Sequence, residues 1–292
     1  MEKIFNELKI GHLQFQLAAD LKLDRICLGI QGGNPSYPCI YCEKKYPFED
    51  QEPAPLRTLG SLRQNCQDFE TPAAAGSKKK EAKECKSVVN MPLFSGDNNV
   101  RILDLIPPPE LHIFTGITTK IFSVLNVQWS AQTGVKDAGL QWAAAHGASA
   151  DWQGGFNGNK CSTLLSKLDD LENSVPSNLK MFVTALRDFK KVKDGCFGQT
   201  LDEWFECYIS DFRRSFKALK MKETHKVHTL LDHVADFCNE RFEPLGRYSE
   251  QASESVHADF KKVYANYARD PNHPEFVPQL LNAILKYNSL HL

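Results

Sequence analysis

His225-Lys226-Val227-His228-Thr229-Leu230-Leu231-Asp232-His233 puts three imidazoles within one short run. After a breaker at Pro244-Leu-Gly246 comes Ser249-Glu250-Gln-Ala-Ser-Glu254-Ser-Val-His257-Ala-Asp-Phe260, with two carboxylates one helical turn apart. Far upstream stands Pro38-Cys39-Ile40-Tyr41-Cys42, a thiol pair with metal-ligand spacing. Together these stretches point to one zinc site pinned from both ends of the chain, with an acidic helix beside it.

Zinc prefers thiolate and imidazole, and Cys-x2-Cys lets two sulfurs from one tight turn reach a single ion. Redox motifs share that spacing, and two unrelated core cysteines would also produce it. The histidines offer two pairings. His228 and His233 are five apart, about 140° around a regular helix. They converge only if His228 sits at or before a helix start and His233 one turn in. His225 and His228 are three apart, share a face and form the rival pair. A histidine near apolar residues is ordinarily a satisfied core side chain, but three so close together favour metal. Glu250 and Glu254 share a helix face with His257 next along it, and such a pair is commonly just a solvated face. Combined with a distant aspartate at a strand end, they could instead hold Mg²⁺ through oxygen. Asp20, after the alternating run His12-Leu-Gln-Phe-Gln-Leu17, is such an aspartate.

The chain has 292 residues, 42% of them hydrophobic and 24% charged, which fits a soluble globular class with a sizeable core. No apolar run approaches the roughly 20 residues of a membrane span, so no membrane partner is expected. Met1-Glu-Lys-Ile-Phe lacks a signal-peptide core, so an intracellular setting is expected, where cysteines are usually reduced. Nine cysteines with one close pair argue for a metal site plus buried thiols rather than a disulfide framework. The net charge of −1 argues against a uniformly basic nucleic-acid coat, yet basic residues cluster at 78–86, 180–193 and 213–226. In the last cluster Arg213, Arg214, Lys217 and Lys220 are the candidate nucleic-acid contacts; the alternative is a solvated helix face.

Along the chain, Leu13–Leu17 and Arg25–Ile30 read as strands, the second buried. Residues 56–69 read as a short helix. Thr71–Ser77 and the lysines after it read as a mobile linker. Pro107-Pro108-Pro109 opens a helix over 110–125. Residues 130–155 read as loop with a short helix. Further helices are expected over 160–171, 179–193, 201–219, 227–239, 249–268 and 276–287. The divisions are 1–70, carrying strands and the Cys-x2-Cys loop; 71–100, a linker; and 101–292, a helical region with the histidines and the acidic helix.

These motifs resemble the catalytic core of the V(D)J recombinase large subunit and related DDE transposases, which have an RNase H-like fold. In that family an active-site Asp precedes a Cys-x2-Cys zinc pair by nineteen residues, as Asp20 precedes Cys39. The family closes its zinc site with His-x4-His followed by Val, which looks like His228, His233 and Val234. A Ser-Glu-…-Glu-Ser helix about twenty residues on is similar to Ser249-Glu250-…-Glu254-Ser255, with one residue inserted. The Gly-Asn helix entry at 155–159 is also similar. The resemblance runs from about Leu13 to Phe260. It implies structural Zn²⁺ on Cys39, Cys42, His228 and His233, with His225 in reserve. It also implies Mg²⁺ between Asp20 and Glu254, DNA as partner, and the nucleus as location. The chain departs from the family in one respect: the nineteen residues before Asp20 contain no aspartate to serve as the first catalytic acid.

The expected fold is therefore mostly α with a partial RNase H-like α/β core and a zinc-tied helical C-terminal half. The expected function is a transposase-derived, zinc-scaffolded protein, inactive as this chain, that binds DNA, a protein partner or a second copy of itself. An active metal-dependent transposase or nuclease within a longer chain is the alternative. A helical interaction protein without metal is the third.

Overall fold

The computed structural model describes residues 17, 21–48, 53–71, 80–151, 154–249, 259–270 and 272–291. It divides into two units, Met1–Tyr248 and Ser249–Leu292. The described residues are mostly helical, and extended pairing among them is limited to three isolated antiparallel bridges: Ile30 with Val88, Cys42 with Leu56, and Thr58 with Arg101. No RNase H-like sheet is present among them. The strand expected over Leu13–Leu17 lies outside the described residues except for Leu17.

The buried strand expected over Arg25–Ile30 is instead the end of a helix, α1 (Leu21–Cys27). Gly29, at φ 70°, adopts the left-handed backbone. The Gly29 N–H donates to the Ile26 carbonyl and the Ile30 N–H to the Arg25 carbonyl, at 3.1 and 2.9 Å. This is the Schellman termination, in which a glycine satisfies the last helical carbonyls. Leu28 and Ile30 are buried beyond it, so apolar residues read as a strand face actually cover a helix exit. A side chain at position 29 would also meet the Asn90 carbonyl oxygen at 1.9 Å.

Helix α2 (Leu59–Glu70) starts with a reciprocal cap. The Ser61 N–H donates to Thr58 Oγ1 at 3.1 Å and the Thr58 N–H to Ser61 Oγ at 3.0 Å, which satisfies two orphan donors of the first turn. After the single turn α3 (Ile102–Leu105) comes the central helix α4 (Glu110–Thr133), which the three prolines precede as expected. It buries Ile113, Phe114, Ile117, Ile121, Phe122, Leu125 and Trp129, a stripe at helical spacing. It runs eight residues past the expected end and stops at Gly134 in the left-handed conformation. Helix α5 (Ala138–Ala145) folds back onto α4, with the Leu140 N–H donating to Asn126 Oδ1 at 3.0 Å.

The helix expected over 160–171 is two, α6 (Gly158–Ser166) and α7 (Leu168–Ser174), separated by Lys167 at φ −112°. Helices α8 (Lys180–Cys196) and α9 (Phe205–Ala218) pack side by side. Phe189 and Phe212 meet there with ring centroids 5.1 Å apart, both fully buried. Phe212→Ala would cost about 3–5 kcal/mol, as for other buried rings. The helix expected over 227–239 is also two, α10 (His225–Asp232) and α11 (Val234–Arg241), broken at His233. Helix α4 packs on α5, α6, α8 and α10, and α9 packs on α10 and α11. An Arg101 fork on Glu240, at 2.7 and 2.5 Å, ties α11 to the bridged N-terminal segment. The second unit contains a helical stretch over 259–264 and α12 (Phe276–His291), where Phe260 stacks on Tyr264 and meets Tyr287 edge-on.

Candidate metal centre

Thr224 caps α10 by accepting the Val227 N–H, which starts the helix three residues before His228. His228 is therefore inside the helix, not at its entry as the sequence suggested. His233 supplies the necessary rotation: its backbone (φ −131°, ψ −24°) leaves the helical region, so the ring swings out of the α10 register toward His228. The two rings stand nearly perpendicular, at 86°, with centroids 5.1 Å apart.

The Cys39–Cys42 loop comes to the same point from the other end of the unit. Cys39 Sγ lies 3.3 Å from His233 Nε2, Cys42 Sγ 3.2 Å from His228 Nε2, and the two Nε2 atoms 3.3 Å apart. All four residues are buried, and their ligand atoms lie within 4.8 Å of one another. A tetrahedral ion roughly 2.3 Å from sulfur and 2.0–2.1 Å from nitrogen sets its ligand atoms about 3.3–3.8 Å apart. The observed contacts match this to a few tenths of an ångström. A hydrogen-bonded thiol–imidazole cluster would need each Nε2 to serve a thiol and the other ring together, whereas one cation satisfies all four donors at once. The cluster can hold a metal such as zinc.

The surroundings suit that role. Asp232 Oδ2 lies 3.0 Å from His228 Nδ1 and Glu223 Oε1 lies 3.6 Å from it. The approach is electrostatic rather than a well-aligned hydrogen bond. A carboxylate here favours the proton on Nδ1 and leaves the Nε2 lone pair for a cation. Phe48 stacks flat on His228 with centroids 4.2 Å apart, and Tyr41 packs against His233 at 5.4 Å. On the cysteine side the Tyr41 N–H donates to Cys39 Sγ at 3.3 Å.

Arg57 fastens the loop. It is fully buried; its Nε donates to the carbonyls of Cys39 and Cys42, both at 3.1 Å, and its Nη2 to the Lys86 carbonyl at 2.8 Å. Burial pushes its guanidinium down, and the charges of Cys39, Glu43 and Cys42 push back. A permanent cation beside two sulfurs favours their ionised form.

With no cation bound, the thiols share their protons unequally. Burial, then the neighbouring Cys42, pushes Cys39 well up. The hydrogen bond from Cys39 pulls Cys42 down to about 2; burial opposes this, and His228 and His233 reinforce it. Burial works against charge on His228, but Asp232, Cys42 and Glu223 outweigh it and raise the ring to about 10. Burial likewise opposes charge on Asp232, yet His228 and Arg213 hold its carboxyl well below the usual range. These directions favour a thiolate at Cys42 facing a protonated His228, and a cation entering the site would displace those protons.

His225 does not join the cluster. It lines a separate surface hollow with Arg25 and Pro38, and burial, then Arg25, holds it down at about 4. Asp20, Glu250, Glu254 and His257 lie outside the described residues. Of the basic candidates, Arg213 donates to the Leu231 carbonyl and to Asp232, at 2.5 and 2.9 Å, and so sits one residue from the centre. Arg214 pairs with Asp211 instead. Lys217 and Lys220 line a cleft with Arg213. The sequence reading missed Arg57, Phe48 and Asp232. Only Asp232 carried a signal: it follows His228 by four residues, one helical turn, where a carboxylate meets an imidazole. Compared with known proteins, the chain matches no family model and no curated protein.

Proposed function

We propose that this is a transposase-derived, zinc-scaffolded helical protein that binds DNA or a protein partner, works in the nucleus and does not cleave DNA as this chain. The four-donor cluster of Cys39, Cys42, His228 and His233 carries the proposal, because two thiolates and two imidazoles in a closed, buried arrangement suit structural zinc. The resemblance to the DDE transposase core supplies the ancestry, through the Asp20–Cys39 interval and the His-x4-His-Val closure. An RNase H-like origin for the segment around the thiol loop belongs to the same proposal.

The catalytic alternative rests on Asp20 and Glu254 sharing Mg²⁺. Two acids are too few to position both ions of a two-metal site, so nicking would require a third acid beside Asp20 and Glu254. The test is elemental analysis of purified protein together with a nicking assay. One zinc per chain and no cleavage of supercoiled DNA in Mg²⁺ or Mn²⁺ is the expected pair of results. Protein that folds without bound metal would favour the metal-free interaction reading. Robust nicking abolished by Glu254→Gln would restore the enzyme.

A further inference from the structure

Beside the metal centre opens a cleft of about 640 Å³, within the range of sites that hold small ligands. Its walls carry Lys44, Arg213, Lys217, Lys220 and Lys222 against two carboxylates, Glu223 and Asp232. Both carboxylates are turned toward His228 Nδ1, and Asp232 is shared with Arg213. Lys217, Lys220 and Lys222 have no carboxylate partner among the described residues. A chain with a net charge of −1 thus gathers three lysines without a carboxylate partner among the described residues, Lys217, Lys220 and Lys222, in one concavity. The turn after α9 builds it: Lys220 is held at φ 52°, a left-handed backbone that lysine disfavours, and the reversal brings Lys220 and Lys222 onto the wall that Lys217 begins. Phe48 and Phe216 form an apolar floor that lowers the local dielectric and strengthens the field above it.

We propose that this cleft is a binding site for phosphate groups, supplied by the backbone of a nucleic-acid strand or by a small phosphorylated molecule. Lysines as movable point charges suit phosphate oxygens, and those of Lys217, Lys220 and Lys222 are not already neutralised. The proposal deepens the DNA-binding reading above and rests on it only for the first source. Phe48 stacks on His228, so the cleft shares a wall with the metal centre.

The test uses the intact, zinc-loaded chain. A fluorescent single-stranded 20-mer is titrated by anisotropy, inorganic pyrophosphate by calorimetry, and a polyglutamate peptide serves as competitor. The variant K217Q/K220Q/K222Q is compared with K190Q/K191Q/K193Q on α8, whose lysines are already paired with Asp188 and Asp194. The expected result is at least a tenfold loss of oligonucleotide affinity in the cleft variant. The slope of log affinity against log salt should shrink by about 2, as three single-strand phosphate contacts imply. The control should change less than threefold, and pyrophosphate should compete. Pyrophosphate binding that the cleft variant abolishes, without oligonucleotide binding, supports the cleft and sinks the DNA reading. Oligonucleotide binding that both variants reduce equally overturns the cleft and leaves the DNA reading standing. Absence of all binding overturns both. Polyglutamate competing as well as pyrophosphate would overturn the phosphate assignment. Should the triple variant not fold, mass-mapped acetylation of the unaltered chain decides. Pyrophosphate protecting Lys217, Lys220 and Lys222 supports the site; unchanged labelling overturns it.

Discussion

Asp232→Ala tests the metal centre without touching a ligand. The carboxylate lies 3.0 Å from His228 Nδ1 and accepts from Arg213 at 2.9 Å. Removing it frees the tautomer and orientation of His228, which for such partners lowers metal affinity about 10–100-fold, or about 1.4–2.7 kcal/mol. The lost pairing with Arg213 adds little, because Arg213 and Asp232 are 49% and 29% exposed and such pairs contribute about 0–1 kcal/mol. The total for the metal-loaded protein is about 1.4–3.7 kcal/mol. At about 2–4 °C per kcal/mol for a unit of this size, the melting temperature should fall by roughly 3–15 °C. The assay is competition with a chromophoric chelator at fixed pH, paired with thermal melts in buffered zinc. Arg213→Gln serves as the control, since it removes the ion pair but leaves the carboxylate beside His228. A zinc affinity within threefold of the unaltered chain, or an equal loss in Arg213→Gln, would refute the role given to Asp232.

Three further outcomes are expected. His225→Ala should leave zinc content unchanged while His228→Ala lowers it, read by elemental analysis; the reverse would move the ligand set by one turn. Gly29→Ala should destabilise by about 2–4 kcal/mol in denaturant titrations, because position 29 combines a left-handed backbone with a 1.9 Å approach to the Asn90 carbonyl. A neutral result would mean that the α1 exit and the Asn90 segment separate easily. In chelator, stability should show a plateau between pH 6.5 and 9. Cys42, depressed from 9.0 first by Cys39 and then by the two histidines, contributes stability that is full above 9.0 and lost as pH falls. His228, raised from 6.5 to about 10 against its burial, contributes stability that is full below 6.5 and lost as pH rises. A midpoint in denaturant that climbs steadily through that window would show that the thiolate–imidazolium pair does not form.

The metal ligands were legible in the sequence because each pair is encoded locally, by Cys-x2-Cys and by histidines within one short run. What brings His228 and His233 together was not legible. Their five-residue spacing works through a helix break at His233, and neither glycine nor proline announces it. The long helices followed from apolar spacing, as in α4, α8 and α9. Residues 25–30 misled because a short apolar run fits a strand and a helix exit equally well. Gly29 was the deciding residue, and only the fold shows that its left-handed backbone ends α1. Arg57 gave no signal, since a buried guanidinium serving three carbonyls has the same local sequence as an exposed one.

The contact between Cys42 and His228 joins residues 186 apart, with α2 to α9 lying between them. With a cation bound, that stretch becomes a closed ring, and tension applied to the chain on either side runs through four coordinate bonds instead of through the helices. In an optical trap the ring should conceal about 610–670 Å of contour length until those bonds part. Chelation would then turn one large late extension into an ordinary unravelling from the ends, and the metal would act as a mechanical fuse for the bundle.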